Sequence, residues 1–362
     1  MAHESFEDDE TAELVNRLFV NVKVDREERP DVDAVYMEFV VATTGQGGWP
    51  MTVFLTPDGA PFYGGTYFPK VGRQGMPSFG QLCEAVDQHW REHRDDIEEQ
   101  TGRIVEEISR SARLEPDPDL PSADTVELAL EQLLQAHDAT WGGFGRAPKF
   151  PQTMSLDLLL QVHRRTGDPV LLDAVTTSLA AMARGGIYDH VGGGFSRYSV
   201  DAFWMVPHFE KMLYDNALLA RTYLHAWQVT GDPEHLQVVE EVIGYVQRDL
   251  ATPQGGVTSA EDADSEGEEG RFYVWKRSQL QEALGAHADA AIEWWGVTEG
   301  GNFEGATILH RPQGGPLLRP PEVEAARTRL FEVREQRVRP GLDDKVLTEW
   351  NALWLATLAE AA

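Results

Sequence analysis

Two stretches of this chain carry the same helix-stop and helix-start signals, and that repeat limits the second part to few architectures. Thr166-Gly167-Asp168-Pro169 recurs as Thr230-Gly231-Asp232-Pro233, within HRRTGDPVLLDAV and HAWQVTGDPEHLQVV. Glycine ends a helix because it enters the left-handed conformation readily. Aspartate then caps the next helix, and proline fits its first position, where no N–H is needed. Each copy therefore reads as a helical hairpin. Each second helix runs into a glycine-rich loop, Gly192-Gly193-Gly194 or Gly255-Gly256, and a third such loop, Gly142-Gly143, lies upstream. A hairpin cannot bury its apolar stripe alone, so these repeats predict a solenoid or a closed ring.

The length of 362 residues suits two domains or one large one. No run is long and apolar enough to span a membrane, and no charged, apolar leader stands out, so the expected location is cytoplasmic. A formal charge of −29 argues against nucleic acid and anionic membrane as partners, because both need a basic surface. Lysine is scarce, with only Lys23, Lys70, Lys149, Lys211, Lys276 and Lys345. High acid with little lysine favours solubility through self-repulsion, and a salt-rich habitat is one explanation. Cys83 is the only cysteine, which excludes an intrachain disulfide, a dithiol motif and a cysteine zinc site. No cofactor and no metal are expected.

Residues 1–114 read as α/β. Residues 10–19 form an amphipathic helix, 19–24 (FVNVKV) alternate as a strand, and 30–41 return to helical spacing. Residues 51–55 (MTVFL) and 61–68 form a hairpin around the turn Thr56-Pro57-Asp58-Gly59. A long charged helix over 78–113 has Leu82, Val86, Ile97, Ile104, Val105 and Ile108 as its buried stripe. Residues 115–122 (EPDPDLPS) are the linker, and helices fill 123–362. Both ends look open. No strand is at hand to pair with 19–24, and the apolar helix over 344–362 stops before a partner helix. The expectation is a chain incomplete at both ends that exposes apolar surface and oligomerises or aggregates.

HESFEDDETAELVNRLFVNVKVDREERPDVDAVYM and TGQGGWPMTVFLTPDGAPFYGGTYFP resemble the thioredoxin-like domain of the DUF255, or spermatogenesis-associated protein 20-like, family. GGFGRAPKFPQ, GGGFSRYSVDAFWMVPHFEKMLYDNA, SAEDADSEGEEGRFYVW and DDKVLTEWNAL are similar to its second half. The resemblance implies an incomplete α/β thioredoxin-like domain followed by an incomplete all-α (α/α) toroid of helical hairpins. That toroid is similar to N-acylglucosamine 2-epimerases and six-hairpin glycosidases. Family members carry Cys-His-Trp-Cys just before the segment that starts here at Met1, and they continue beyond Ala362. Thiol chemistry therefore transfers to no residue of this sequence. The resemblance also implies a cis bond at Trp49-Pro50, with Pro50 shaping a groove.

The candidate residues cluster where hairpins begin. Pro207 is read as opening a helix, which puts His208, Lys211 and Asp215 on one stripe that Leu218 continues as apolar. A charged half-stripe on a core-like helix suggests a cavity lining; the ordinary alternative is a surface Lys211–Asp215 pair and a capping histidine. Arg197, Tyr198, Asp201, Glu210 and Asn216 flank it, Tyr214 is a neighbour, and His190 with Asp189 precedes the glycine loop. Residues 261–267 begin like a calcium loop, but Tyr273 stands where an EF-hand needs glutamate. Asp262, Asp264 and Glu266 are then acid/base groups or acceptors for sugar hydroxyls, or else a solvated acidic loop. Phe272, Tyr273 and Trp275 stack on sugar rings or fill the core. Asp344, Lys345, Trp350 and Asn351 open the last helix, with Asp344 as cap or cavity group. The charge run at 25–30 is a solvated loop or a groove rim, and Cys83 reads as a buried, inert thiol.

These positions suit a carbohydrate-active toroid acting on a small-molecule sugar. An epimerase or isomerase needs a base beside a carbonyl; His208 fits, with Lys211 or Arg197 stabilising the oxyanion. A glycosidase needs two carboxylates, drawn from Asp215, Asp262, Asp264 and Asp344. Two other readings stand: a thiol-redox or folding factor binding peptides, whose cysteines lie upstream, and a non-catalytic ligand-binding scaffold.

Overall fold

The computed structural model describes residues 2–73, 75–111, 122–312 and 314–362, grouped into two compact units, Met1–Leu120 and Pro121–Ala362. The expected linker at 115–122 lies outside the described residues except for Ser122.

In the first unit, Asp8 caps α1 (Asp9–Leu18) by accepting the Thr11 N–H at 3.1 Å. Helix α2 (Pro30–Thr44) opens at proline and closes at Gly45. β1 (Thr52–Leu55) and β2 (Pro61–Gly65) pair antiparallel, with Phe54 opposite Tyr63. Ser78 and Gln81 cap α3 (Phe79–Glu92) reciprocally, and α4 (Arg94–Ser111) follows. Phe54, Phe79, Leu82, Cys83 and Val86 form the core. Cys83 is fully buried, and that burial pushes its thiol up to about 11. The Trp49–Pro50 bond is cis, as the resemblance implies; so is Ala147–Pro148 in the second unit, which the sequence reading passed over.

Two expectations for this unit fail. Residues 19–24 form no strand: among the described residues no strand pairs with them, and Val20 and Val22 are 96% and 78% exposed. Alternation alone cannot make a strand without a partner to satisfy its backbone. The long helix over 78–113 is two helices, broken at His93 (φ −132°, ψ 33°). Between Val86 and Ile97 the only large apolar residue is Trp90, so little packing holds the chain straight there.

The second unit opens with α5 (Ala123–Ala136). The first repeat then appears as α6 (Thr153–Thr166) and α7 (Pro169–Arg184), the second as α8 (Leu213–Thr230) and α9 (Pro233–Tyr245). Gly167 and Gly231 adopt φ 75° and 69°, while Asp168 and Asp232 accept the N–H of Val170 and Glu234, each at 2.9 Å. Short strands connect the hairpins: β3 (Tyr198–Ser199), β4 (Pro207–His208), β5 (Lys211–Met212), β6 (Ala260–Glu261), β7 (Asp264–Ser265) and β8 (Glu268–Glu269). Then come α10 (Arg277–Leu284), α11 (Ala288–Trp294), α12 (Pro321–Arg334), β9 (Leu342–Asp343) and α13 (Thr348–Ala361). Helix α8 packs against both α6 and α13, and α7 and α9 pack on α6 and α8. Leu159, Leu179, Tyr223 and Val242 belong to the core they share. The stripe Tyr214, Leu218, Arg221 and His225 of α8 stays half-buried. There His225 bridges α6 and α13, with Nδ1 2.6 Å from Asp157 and Nε2 2.9 Å from Glu360.

The two glycine loops have the same internal wiring. Asp138 accepts the N–H groups of Thr140 and Trp141 and, through its other oxygen, Lys149 Nζ at 2.6 Å; Gly142 O accepts the same ammonium at 2.9 Å. Asp189 accepts the N–H groups of Val191 and Gly192 and Lys211 Nζ at 2.8 Å, and Gly193 O accepts Lys211 at 2.9 Å. Gly142 and Gly193 have positive φ, and a Cβ on either would lie 2.5 Å from the backbone of α7 or α9 (Ser178 Cα, Glu241 O). Both lysines are buried; a buried ammonium is tolerable only when paired in this way.

Two helix starts differ from expectation. Pro207 opens no helix; it pairs with Ser199 in β4, and α8 begins at Leu213. Proline's fixed φ and missing N–H suit an edge position as well as a first turn, and the deciding partner is non-local. His208, Lys211 and Asp215 therefore do not share one helical stripe. Asp344 does not cap α13 either: Asp343 pairs with Ala260 in the sheet, and Leu347 holds the cap position.

Candidate active site

Segments from distant parts of the chain meet at the start of α8. β5 pairs with β6, Lys211 opposite Glu261, and β6 with β9, Glu261 opposite Leu342. One residue on, the Asp262 N–H donates to Gly341 O at 2.8 Å, and the register makes Glu210 and Asp262 cross-strand neighbours. Because side chains alternate, Glu210 and Asp262 take the face opposite Lys211 and Glu261.

On that face Arg197 binds Glu210, Nη1 to Oε2 at 3.1 Å, and its backbone N–H donates to Glu210 O at 2.8 Å. His208 Nε2 stands 3.8 Å from the same Glu210 oxygen. Its Nδ1 lies 2.8 Å from Glu269 Oε1 on the β7–β8 hairpin. A carboxylate only accepts, so Nδ1 carries the hydrogen and Nε2 keeps the lone pair in the neutral ring. Tyr198 stacks on His208 at 5.1 Å, and Phe150 on Tyr198 at 4.8 Å. Tyr214 packs against Trp350 at 4.8 Å.

Asp215, in the first turn of α8, has an oxygen sealed from solvent with no hydrogen-bond partner. Burial pushes its carboxyl up to about 8; Arg197 pulls it down and Glu210 pushes it further up. At neutral pH the site thus holds a protonated carboxyl beside a carboxylate paired with arginine. Such unlike groups divide acid and base roles. Arg197 Nε is also buried and unpartnered.

Behind this face lies a closed network. Lys211 sits beneath the rings of Tyr245 and Tyr273 (4.4 and 4.9 Å), and Asp189 also takes Arg334 at 2.8 Å. Burial alone would raise the Asp189 carboxyl, but Arg334 and Lys211 hold it well below its usual range. A cavity of about 20 Å³, room for one water, is lined by Lys211, Asp189, Ser196 and Tyr273.

Residues 1–109 match the family model Thioredox_DsbH, described as a protein of unknown function, DUF255. Human spermatogenesis-associated protein 20 is 40% identical over 402 residues, covering 99% of this chain and 51% of the relative. An uncharacterized protein of Caenorhabditis elegans is 34% identical over 408 residues, covering 100% of this chain and 55% of the relative. The chain belongs to the DUF255, spermatogenesis-associated protein 20-like, family. It spans about half the length of the curated relatives it matches. Among solved structures, a cellobiose 2-epimerase from Spirochaeta thermophila is similar at TM-score 0.34 and 21% identity, covering 38% of this chain and 39% of that one. An unsaturated glucuronyl hydrolase specific for heparin is similar at TM-score 0.37 and 12% identity, covering 93% and 97%. This family member has a thioredoxin-like DUF255 segment followed by a unit of helical hairpins.

Of the residues singled out in the family sequence, Arg197, Tyr198, His208, Glu210 and Asp215 come together. Asp262 lies beside Glu210, and Asp264, half-buried, donates its N–H to Asp262 Oδ1 at 3.4 Å. Glu266 pairs with Arg271 at the β7–β8 turn. Asp344 is exposed next to β9, and Lys345 pairs with Asp343 at 3.0 Å. Trp350 meets the site through Tyr214. Others face inward. Lys211 is engaged by Asp189, and Trp275 is fully buried. Tyr273 stacks on Phe209. His190 bonds Gly185 O, and burial pushes its ring down to about 3, so it stays neutral. Asp201 accepts three backbone N–H groups, from Phe203, Met205 and Val206, and shapes its loop. Asn216 holds both backbone groups of Phe195, and Asn351 holds those of Val257 in the same way. Glu269 was missed. It reads as one more acid in a charge run, and only the fold brings it to His208. Among the described residues no group of three or more His, Cys, Asp or Glu is placed to hold a metal ion.

Proposed function

We propose that the second unit carries a general acid–base site that moves a proton beside the carbonyl of an open-chain sugar, as an isomerase or epimerase does. The observation that carries this is Asp215: a carboxyl kept protonated by burial, with one oxygen lacking a hydrogen-bond partner, near Arg197 and Glu210, while His208 Nε2 stands 3.8 Å from that Glu210. His208, oriented by Glu269, removes the C2 proton through Nε2. The electron pair moves onto the carbonyl oxygen. Asp215 gives that oxygen its proton, and the Arg197 guanidinium stabilises the developing charge. Returning the proton to C1 while Asp215 takes the C2 hydroxyl proton isomerises the sugar; returning it to C2 after the enediol has turned its other face to His208, with Asp215 taking back the proton it gave, epimerises it. Trp350 offers an aromatic surface for the C–H groups of the substrate.

The test is solvent exchange. In D2O, deuterium should enter C2 of a reducing sugar, read by proton NMR. His208→Asn should slow this about 100-fold or more, the usual scale of general base loss. Glu269→Gln should slow it less, about 10-fold, because it only misorients the ring. Equal exchange in wild type and His208→Asn would refute the assignment.

A further inference from the structure

We infer that this site selects sugars without an anionic group, taking neutral or amine-bearing ones and rejecting uronates and sugar phosphates. The inference rests on the acid–base reading above. It is drawn from the charged groups around His208 and Arg197, where Glu210 accepts from Arg197 at 3.1 Å and stands 3.8 Å from His208 Nε2. Continuing the β5–β6 register by one residue sets half-buried Glu210 opposite exposed Asp262. The β7–β8 hairpin adds Asp264, Glu268 and Glu269, the last held against His208 at 2.8 Å.

The nearby cations are already committed. Arg197 binds Glu210 at 3.1 Å, and Arg271 is shared between Glu266 and Glu268 at 3.0 and 3.1 Å. The start of α8 contributes about half a positive charge, too little to offset several carboxylates. An anion approaching this excess of carboxylates meets repulsion and a cation attraction.

The experiment compares glucose, glucosamine and glucuronate in the deuterium-exchange assay at about 0.02 M and about 0.3 M NaCl, where screening differs strongly. At low salt kcat/KM for glucuronate should fall at least about 10-fold below that for glucose, and glucosamine should match or exceed glucose. High salt should narrow the gap, and so should Glu268→Lys at low salt. Glucuronate exchanging as fast as glucose at low salt overturns the inference while leaving the acid–base reading intact. So does a gap that neither salt nor Glu268→Lys changes. Exchange with none of the three sugars sinks the acid–base reading, and the inference with it.

Discussion

Asp215 couples the chemistry of the site to the stability of the fold. Its carboxyl is pushed up to about 8 by burial, against about 4 in an unfolded chain. Between those values the folded chain holds a proton that the unfolded chain has released. Stability therefore falls as pH rises from about 4 to about 8 and levels off beyond. Asp215→Asn removes the titration. The variant should gain on wild type across that window by on the order of 1–3 kcal/mol, allowing for relaxation around the buried carboxyl. Thermal melts from pH 5 to pH 8 at fixed ionic strength check this; a constant difference between the two proteins contradicts it. Position 215 was visible in the sequence because a lone acid on an otherwise apolar helix stands out. Its partners were not. Arg197 and Glu210 are 13 residues apart, their meeting depends on the antiparallel pairing of β3 and β4, and Glu269 arrives from a separate hairpin.

At the level of elements, the repeats were legible because their signals are local. Gly167 and Gly231 end helices, and Asp168 and Asp232 start them, within four residues of sequence. Elements whose existence depends on distant partners were misread: the strand expected at 19–24 has none, and Pro207 takes one from β3 instead of opening a helix. The equivalence of Asn216 and Asn351 was likewise hidden, since each holds a segment of the preceding hairpin. Asn216 is fully buried and makes three hydrogen bonds to backbone, so Asn216→Ala leaves the Phe195 N–H and C=O without that partner. A loss of about 2–3 kcal/mol is expected in urea unfolding, larger than for a typical surface substitution. A loss below about 0.5 kcal/mol would mean the clamp is dispensable.

For the molecule as a whole, the charge of −29 sets the tone. Raising salt from about 0.01 to about 0.1 M shortens the screening length from about 30 to about 10 Å. Self-repulsion among the excess carboxylates should ease, and the melting temperature should rise by several degrees despite weaker surface ion pairs. A fall on adding NaCl would show that attraction, not repulsion, dominates this surface. Among the described residues no helix is long and apolar enough to cross a membrane. The sealed pairs Asp138–Lys149 and Asp189–Lys211 have a practical corollary for anyone handling the protein. With six lysines in all and two of them shut inside, acylating dyes, biotin esters and aldehyde resins will find mainly Lys23, Lys70 and Lys276, all exposed. Two of these three anchor points belong to the thioredoxin-like unit, so tethering through amines leaves the proposed sugar site largely untouched.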